Sequence, residues 1–259
     1  EESQKAKRVP GKSGNAQQAA LLTERARAAR AAGQVADAYV QARKANDLDP
    51  DLVPAAELVA RMVAEDGRTR RARKVLERAW GRTPHPALMA AYLDFGVESK
   101  EPLDRYKAVE HMTRSAREHP DSRLALAEAA LDAKLWGEAR AQLEALEALR
   151  PTVRVYHLRA RLAEEDAEDT TTVDQWLERA AAADADPQWV CKDCGTVADD
   201  WSAVCGNCGS FGTLEWNQPP RIHRTLVSLV PADVDESSPA RDSQSPQRWQ
   251  RTRSGQLFL

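Results

Sequence analysis

The sequence predicts an all-α fold class: a solenoid of helical hairpins followed by a small knuckle closed by four cysteines. Three observations lead to this prediction. The first 186 residues are rich in Ala, Leu, Arg and Glu and lack the alternating apolar pattern of strands. Small residues and prolines recur at intervals of about 34 residues. The cysteines follow as Cys-x2-Cys, ten residues, then Cys-x2-Cys.

Length and composition place the chain among soluble, folded proteins. Its 259 residues, 42% of them hydrophobic, are enough for one or two domains. A net charge of -3 gives no overall attraction to nucleic acid. No stretch of about 18 consecutive apolar residues is present, so no membrane span is predicted. Because the chain opens with Glu1 rather than Met, we expect a fragment or a processed product, and a preceding membrane anchor stays open.

The helical repeats are read from residues that recur in register. Four of them return after 34 residues: Gly33, Ala38, Ala45 and Pro50, then Gly67, Ala72, Ala79 and Pro84. Later copies are spaced by 36 and then 31 residues: Ala108, Met112, Ser115 and Pro120, then Ala139, Leu143, Leu146 and Pro151. A degraded copy follows at Val173, Leu177 and Ala180. The pattern predicts about five helix pairs, and a proline ends each of the first four because proline cannot continue a helix.

This pattern resembles the tetratricopeptide repeat, a helix-turn-helix unit of about 34 residues. Small residues allow the helices to approach, and one column is predicted to be buried: Ala42, Leu76, Met112, Leu143 and Leu177. Leu, Ala or Arg replace most aromatic positions of the family pattern, and the third unit is irregular from Val97 to Leu103. Such a solenoid has no preformed catalytic cleft and is expected to bind a protein or peptide.

A groove for that partner is predicted on the first helices of the first two units. The candidate residues share polar side chains at first-helix positions: Thr23, Arg27, Arg30, Glu57, Arg61 and Glu65. The alternative interpretation is a solvated face, which is the usual meaning of charges on a helix surface.

The cysteines are predicted to bind one metal ion through Cys191, Cys194, Cys205 and Cys208. A two-residue gap turns both thiolates of a pair toward one centre, and Gly195 and Gly209 supply the turns. Zinc suits four thiolates, iron also fits, and two disulfides or free thiols are the alternative. Since four thiolates leave no open position, the metal is expected to be structural. Six apolar residues are expected to pack around it: Trp189, Val190, Trp201, Phe211, Leu214 and Trp216.

The predicted domain organisation has four parts. Residues 1–15 are a flexible basic linker, 16–186 the repeats, 187–219 the knuckle and 220–259 a mostly disordered tail. Enzyme chemistry is not predicted, because phosphate-loop and dinucleotide motifs are absent. The histidines lack a shared pattern and are predicted to be surface or turn residues: His85, His111, His119, His157 and His223.

Repeats followed at once by the segment WVCKDCGTVADDWSAVCGNCGSFGTLEWNQP resemble the alphaproteobacterial HemY-type proteins. That resemblance is most specific over residues 187–219. It implies a non-catalytic scaffold associated with haem biosynthesis on the cytoplasmic face of the inner membrane. Its partners would be haem-pathway enzymes, with membrane contact made through N-terminal helices that precede this chain. It also implies a structural zinc site.

Two other resemblances stay open. LapB, a regulator of lipopolysaccharide synthesis, joins such repeats to a rubredoxin-like knuckle and recruits a protease to a biosynthetic enzyme. The tail after residue 219 and the ending Gly-Ser-Phe-Gly-Thr-Leu-Glu-Trp favour the HemY type over it. A rubredoxin-like electron carrier with iron in the four-thiolate site is the third hypothesis.

Overall fold

The computed structural model describes residues 11–166 and 170–220 and contains ten α-helices in these ranges. The first six are α1 Gly11–Ala31, α2 Val35–Leu48, α3 Val53–Glu65, α4 Thr69–Trp80, α5 Pro86–Phe95 and α6 Pro102–Thr113. The other four are α7 Pro120–Asp132, α8 Trp136–Leu149, α9 Val153–Glu165 and α10 Thr170–Ala182. Consecutive helices form five hairpins, so the predicted helical-hairpin solenoid of the tetratricopeptide type is confirmed.

The repeated glycines and prolines lie in the turns, as predicted. Gly33 and Gly67 adopt positive φ angles of 75° and 77° in the turns inside the first two hairpins, a conformation that glycine takes without steric cost. Pro50, Pro84 and Pro151 lie between hairpins, whereas Pro120 is the first residue of α7. The longer third unit contains an irregular segment at residues 96–101 and a 3-10 turn at Arg114–Ala116.

The predicted buried column is correct except at its last member. The first four members are at most 1% exposed and pack in the helical cores: Ala42, Leu76, Met112 and Leu143. Leu177 is 41% exposed, so its predicted burial is wrong. It lies on α10, the last helix of the array, and no further hairpin covers that helix among the described residues.

A three-stranded antiparallel sheet follows the helices, in the strand order β2-β1-β3. The strands are β1 Gln188–Cys191, β2 Val197–Ala198 and β3 Leu214–Asn217. Trp189 faces Trp216 across β1 and β3, and Cys191 faces Leu214. This register places the first cysteine of the knuckle at the end of the central strand.

The repeats and the knuckle belong to one compact unit that ends at Pro220. Residues 11–15, predicted to be part of the basic linker, are helical because α1 extends back to Gly11. The remainder of that linker and the predicted tail from residue 221 lie outside the described residues. No helix in the described ranges is long and apolar enough to cross a membrane.

Leu143 and Leu177 occupy equivalent repeat positions with opposite burial, which gives a matched pair of variants. Leu143→Ala should lower the free energy of unfolding by about 2–5 kcal/mol, because it leaves a cavity between hairpins. Leu177→Ala should change it by less than about 0.5 kcal/mol. Urea unfolding followed by circular dichroism measures both values. Equal losses would contradict the assignment of α10 as an uncovered helix.

Candidate metal centre and its docking on the repeats

The four cysteine sulfurs converge on one point. All four Sγ atoms lie within 4.8 Å of one another. Cys191 Sγ lies 3.8 Å from Cys208 Sγ, and Cys194 Sγ lies 3.7 Å from Cys205 Sγ. A tetrahedral ion with metal–sulfur bonds of about 2.3 Å holds its sulfurs about 3.8 Å apart. These distances exceed the sulfur–sulfur bond of about 2.05 Å in a disulfide. The arrangement is therefore compatible with zinc or iron.

The two Cys-x2-Cys turns have the same backbone geometry. Cys191 N–H donates to the Thr196 carbonyl, and Cys205 N–H donates to the Ser210 carbonyl, both at 2.9 Å. Gly195 N–H and Gly209 N–H each donate back to the first cysteine of their turn. Both glycines have positive φ angles, 72° and 73°, which explains why glycine follows each pair. The two turns thus present their sulfurs to the centre in equivalent ways.

Polar groups around the sulfurs favour the thiolate form on one side of the site. The Thr213 hydroxyl, 3.2 Å from Cys191 Sγ, lowers the pKa of Cys191, and the N–H groups of Cys194 and Asp193 act in the same direction. The pKa of Cys194 falls to about 6, chiefly through the Thr196 hydroxyl. A lowered thiol pKa favours metal binding, because the thiolate is the ligand.

The apolar cluster around the cysteines includes residues of the repeats. Trp201, Ala203 and Leu214 are buried beside Cys191 and Cys205, and Ala20 of α1 completes this cluster. Leu52, just before α3, also packs against it. Val190 is buried as predicted, whereas Phe211 is 38% exposed and does not belong to this core. The core of the knuckle therefore continues into the repeats through Ala20 and Leu52.

His85 holds the knuckle against the third hairpin. Its ring lies 5.2 Å from the Trp189 ring and 4.2 Å from the Trp216 ring, measured between centroids. Its Nδ1 atom accepts a hydrogen bond from Ala87 N–H at the start of α5. His85 lies in the turn before α5, as predicted, but its side chain is only 3% exposed and is not at the surface. Burial lowers the pKa of His85 to about 4 and keeps the ring neutral at pH 7.

Trp189 and Trp216 form this contact because they are cross-strand neighbours on β1 and β3, with ring centroids 5.3 Å apart. Both tryptophans were predicted to pack inside the knuckle. Their contact with His85 was not predicted, because about one hundred residues separate the histidine from the first tryptophan.

A second contact joins the knuckle to α1. Arg27 donates a 2.8 Å hydrogen bond to the Trp201 carbonyl, and its guanidinium lies 5.2 Å from the Trp201 ring centroid. One turn earlier, the Glu24 carboxylate accepts a 2.9 Å hydrogen bond from Ala203 N–H. Arg27 was predicted to face a partner groove, but its side chain contacts Trp201 of the knuckle instead.

A third contact anchors the segment that leads into the knuckle. Asp186 accepts hydrogen bonds from the Thr152 hydroxyl at 2.6 Å and from Arg154 N–H at 3.0 Å. Thr152 is the residue immediately before α9. The knuckle and its leading segment therefore contact α1 and the starts of α3, α5 and α9. They follow one edge of the solenoid, which we call the inter-repeat edge.

The other predicted groove residues lie on neighbouring first helices. Arg30 of α1 pairs with Glu65 of α3, and Arg61 of α3 contacts Glu57 at 3.1 Å and Asp94 of α5 at 3.5 Å. Thr23 does not line a groove, because its side chain is fully buried and donates a hydrogen bond to the Ala19 carbonyl. The structure thus brings together four of the six predicted residues, Arg30, Glu57, Arg61 and Glu65, as ion pairs within and between helices.

The same kind of pairing continues along the array, where sequence reasoning named no residues. Arg154 of α9 pairs with Glu128 of α7, and Arg161 of α9 pairs with Asp132 of α7 at 2.9 Å. A cavity of about 330 Å³ lies among α5, α6 and α7, and Glu128 and Asp132 line it together with apolar Met89, Leu93 and Ala129. Extending the first-helix register beyond the second unit would have identified these charges. We call this surface the first-helix groove.

The chain is similar in sequence to a probable magnetosome protein and in fold to several helical-repeat proteins. No family model matches the chain. A probable magnetosome protein, Mms48 of Magnetospirillum gryphiswaldense, is 29% identical over 197 residues, or 76% of this chain. The match spans 43% of that protein, so the chain covers less than half of the relative's length.

Several solved helical-repeat structures align with about two thirds of the chain. YrrB, described as a TPR protein with an unusual peptide-binding site, is 12% identical over 64% of this chain and 86% of its own, with a TM-score of 0.38. MamA is 13% identical over 64% and 91%, with a TM-score of 0.40. Pseudomonas aeruginosa PilF is 18% identical over 65% and 78%, with a TM-score of 0.41. These scores are low, and the repeat assignment rests on the five helix pairs of the chain itself.

The buried His85 should make stability depend on pH. Its pKa is about 4 in the folded chain and 6.5 in an exposed histidine, so the unfolded chain binds more protons between these values. The neutral ring therefore contributes fully to the free energy of unfolding above pH 6.5. That free energy falls by at most about 3 kcal/mol as the pH drops toward 4.

Thermal unfolding of the unmodified chain and of His85→Asn across this pH range measures that contribution. The variant should lose less stability than the parent on acidification, whereas the exposed-site control His157→Asn should match the parent. Identical pH profiles for parent and His85→Asn would show that the ring is not held neutral by docking.

Proposed function

We propose that this chain is a non-catalytic interaction scaffold in which a structural metal knuckle braces a helical-repeat array. The observation that carries this proposal is the position of the knuckle. It contacts α1 and the inter-repeat edge through Arg27, His85 and Thr152. Acidic residues of the neighbouring first-helix groove stay exposed beside it: Glu65, Asp94 and Asp132. A protein or peptide partner can then occupy the groove while the knuckle stays docked.

Cys191, Cys194, Cys205 and Cys208 would hold the metal, and zinc is the ion that we propose. The ion would act as a crosslink between two turns that bury little apolar surface of their own. With all four positions filled by sulfur, it would have no site for substrate. Iron in the same site is the basis of the alternative, a rubredoxin-like electron carrier. The solvent exposure of Cys194 and Cys208 favours that alternative, since electrons need a short path to the surface.

The HemY-type assignment, with haem-pathway enzymes as partners at the cytoplasmic face of the inner membrane, is our first proposal for the biological context. Its support is the sequence pattern of residues 187–219 directly after the repeats. A LapB-like adaptor is the second candidate, and the docking of the knuckle on the repeats favours it. The relative named as a probable magnetosome protein supports a third setting, in which the scaffold serves that assembly.

Removing the metal should unfold the knuckle but not the repeats. We expect about one equivalent of metal by elemental analysis, and its loss in Cys194→Ser or after strong chelation. Trp189 and Trp216 would leave the His85 contact, so tryptophan emission should shift to the red while the helical circular dichroism signal persists.

Asp199→Asn, an exposed change in the same knuckle, should keep the metal. Strong visible absorption by the purified protein would identify iron, and its absence would favour zinc. A metal-free chain with unchanged tryptophan emission would overturn the proposed site.

Capture from native membranes tests the scaffold and its context together. Arg61→Glu places a like charge beside Glu57 and Asp94, so it should reduce partner recovery at least about tenfold. Arg43→Glu, an exposed change on the second helix α2, is the matched control and should leave partner recovery unchanged.

Haem-pathway enzymes in the captured fraction would support the HemY type. A protease with a lipid-A enzyme would support the LapB type. Equal recovery by both variants would exclude the first-helix groove as the binding surface.

A further inference from the structure

Helix α4 carries a line of basic side chains on its outer surface. Arg70, Lys74 and Arg78 are four residues apart, and Arg82 continues the spacing just after the helix. Residues at this spacing lie on one side of a helix. We call these four residues the basic stripe. The opposite side of α4 faces the core through buried Ala72, Leu76 and Ala79.

Acidic neighbours do not neutralise the basic stripe. Arg70, Lys74 and Arg78 are exposed, and none of them has an ion pair with the described residues. Arg82 reaches Asp51 at 3.5 Å. Glu77 is the single acidic residue of α4, and it lies near the Tyr92 hydroxyl and His111. Like charges four residues apart destabilise a helix, so this arrangement has a cost that a bound anion would remove.

The basic stripe borders a cleft suited to anionic groups. A cavity of about 570 Å³ separates α4 from the end of α6. Its charged lining consists of Lys74, Glu77, Arg78, Arg82 and Arg114, with His111 beside them. A smaller cavity of about 270 Å³ between α2 and α4 also includes Arg78 and Arg82. Arg78 and Arg82 therefore border both cavities, Arg114 adds a positive charge on the α6 side, and Asp47 is the acidic residue on the α2 side.

The composition of this surface distinguishes among polyanions. None of the large exposed apolar side chains in the described residues lies on α4. Protein interfaces usually need an apolar centre, and single-stranded nucleic acid usually stacks on exposed aromatic rings. Lipid headgroups need only positive charge, and each basic residue near an anionic leaflet contributes about 1 kcal/mol.

We propose that the basic stripe docks the repeat array on a membrane surface that contains acidic phospholipid. The cleft beside Arg78 and Arg114 receives the phosphate groups. This contact is peripheral, without insertion of a helix. Arg70, Lys74 and Arg78 lie on a second helix, whereas the first-helix groove is formed by first helices, and the stripe approaches the inter-repeat edge only at Arg82. The array therefore binds its protein partner and keeps the knuckle docked while it lies on the membrane.

Vesicle flotation with the full chain tests this proposal. Vesicles of phosphatidylcholine, alone or with about a quarter phosphatidylglycerol, are compared at low and high salt. The chain should float with the anionic vesicles at low salt and stay unbound with neutral ones. The triple variant Arg70→Gln, Lys74→Gln and Arg78→Gln should bind on the order of 100-fold more weakly.

The control triple Arg25→Gln, Lys100→Gln and Lys134→Gln removes the same charge from exposed, unpaired positions elsewhere. It should bind within about threefold of the parent. Circular dichroism confirms folding, and the stripe variant should unfold at an equal or higher temperature because like-charge repulsion is relieved. Equal weakening by the two triples would overturn the proposal. So would flotation with neutral vesicles, or tighter binding to an RNA oligonucleotide or to polyglutamate than to anionic vesicles.

Discussion

The knuckle depends on the approach of four sulfur atoms to within 4.8 Å of one another. Thiolates this close repel each other, so the geometry is compatible with a bound cation. The register of β1 with β3 places Cys191 at the end of the central strand, opposite Leu214. That register in turn brings Trp189 beside Trp216, and the pair forms the surface that receives His85. The central strand β1 therefore contributes both to the sulfur cluster and to the surface that receives His85.

Docking also completes a core that the knuckle lacks. Ala20 and Leu52 come from the repeats, yet they pack with Trp201 and Leu214 around the buried cysteines. Polar contacts surround this apolar centre, with Arg27 and Glu24 both bonded to knuckle backbone. Since the two parts share this cluster, unfolding of the knuckle would expose Ala20 and Leu52. It would lower the stability of the first hairpins, while the separate cores of the repeats keep the helices folded.

Most features that depend on local spacing could be predicted from the sequence. The hairpin turns at Gly33 and Gly67, the column from Ala42 to Leu143 and the cysteine turns all follow from periodicity and residue type. Contacts between distant segments could not be predicted in this way. His85 read as an ordinary turn histidine, and only the folded knuckle shows that two tryptophans enclose it. Leu177 failed for a related reason, because burial of a repeat position requires a next hairpin. Thr23 was predicted to line the groove, but the sequence does not show which side of α1 faces the neighbouring helices, and Thr23 lies on the buried side.

Hydrogen bonds between knuckle and α1 join residues 174 and 179 positions apart, Arg27 with Trp201 and Glu24 with Ala203. In an open solenoid each unit touches only the adjacent ones, so the array can bend and twist. Here the knuckle and its leading segment connect the first hairpin to the fifth, where Asp186 accepts a hydrogen bond from Thr152. Because the array is held at both ends, its curvature and the width of the first-helix groove are set before a partner binds. A partner then meets a rigid template and does not have to bend the array.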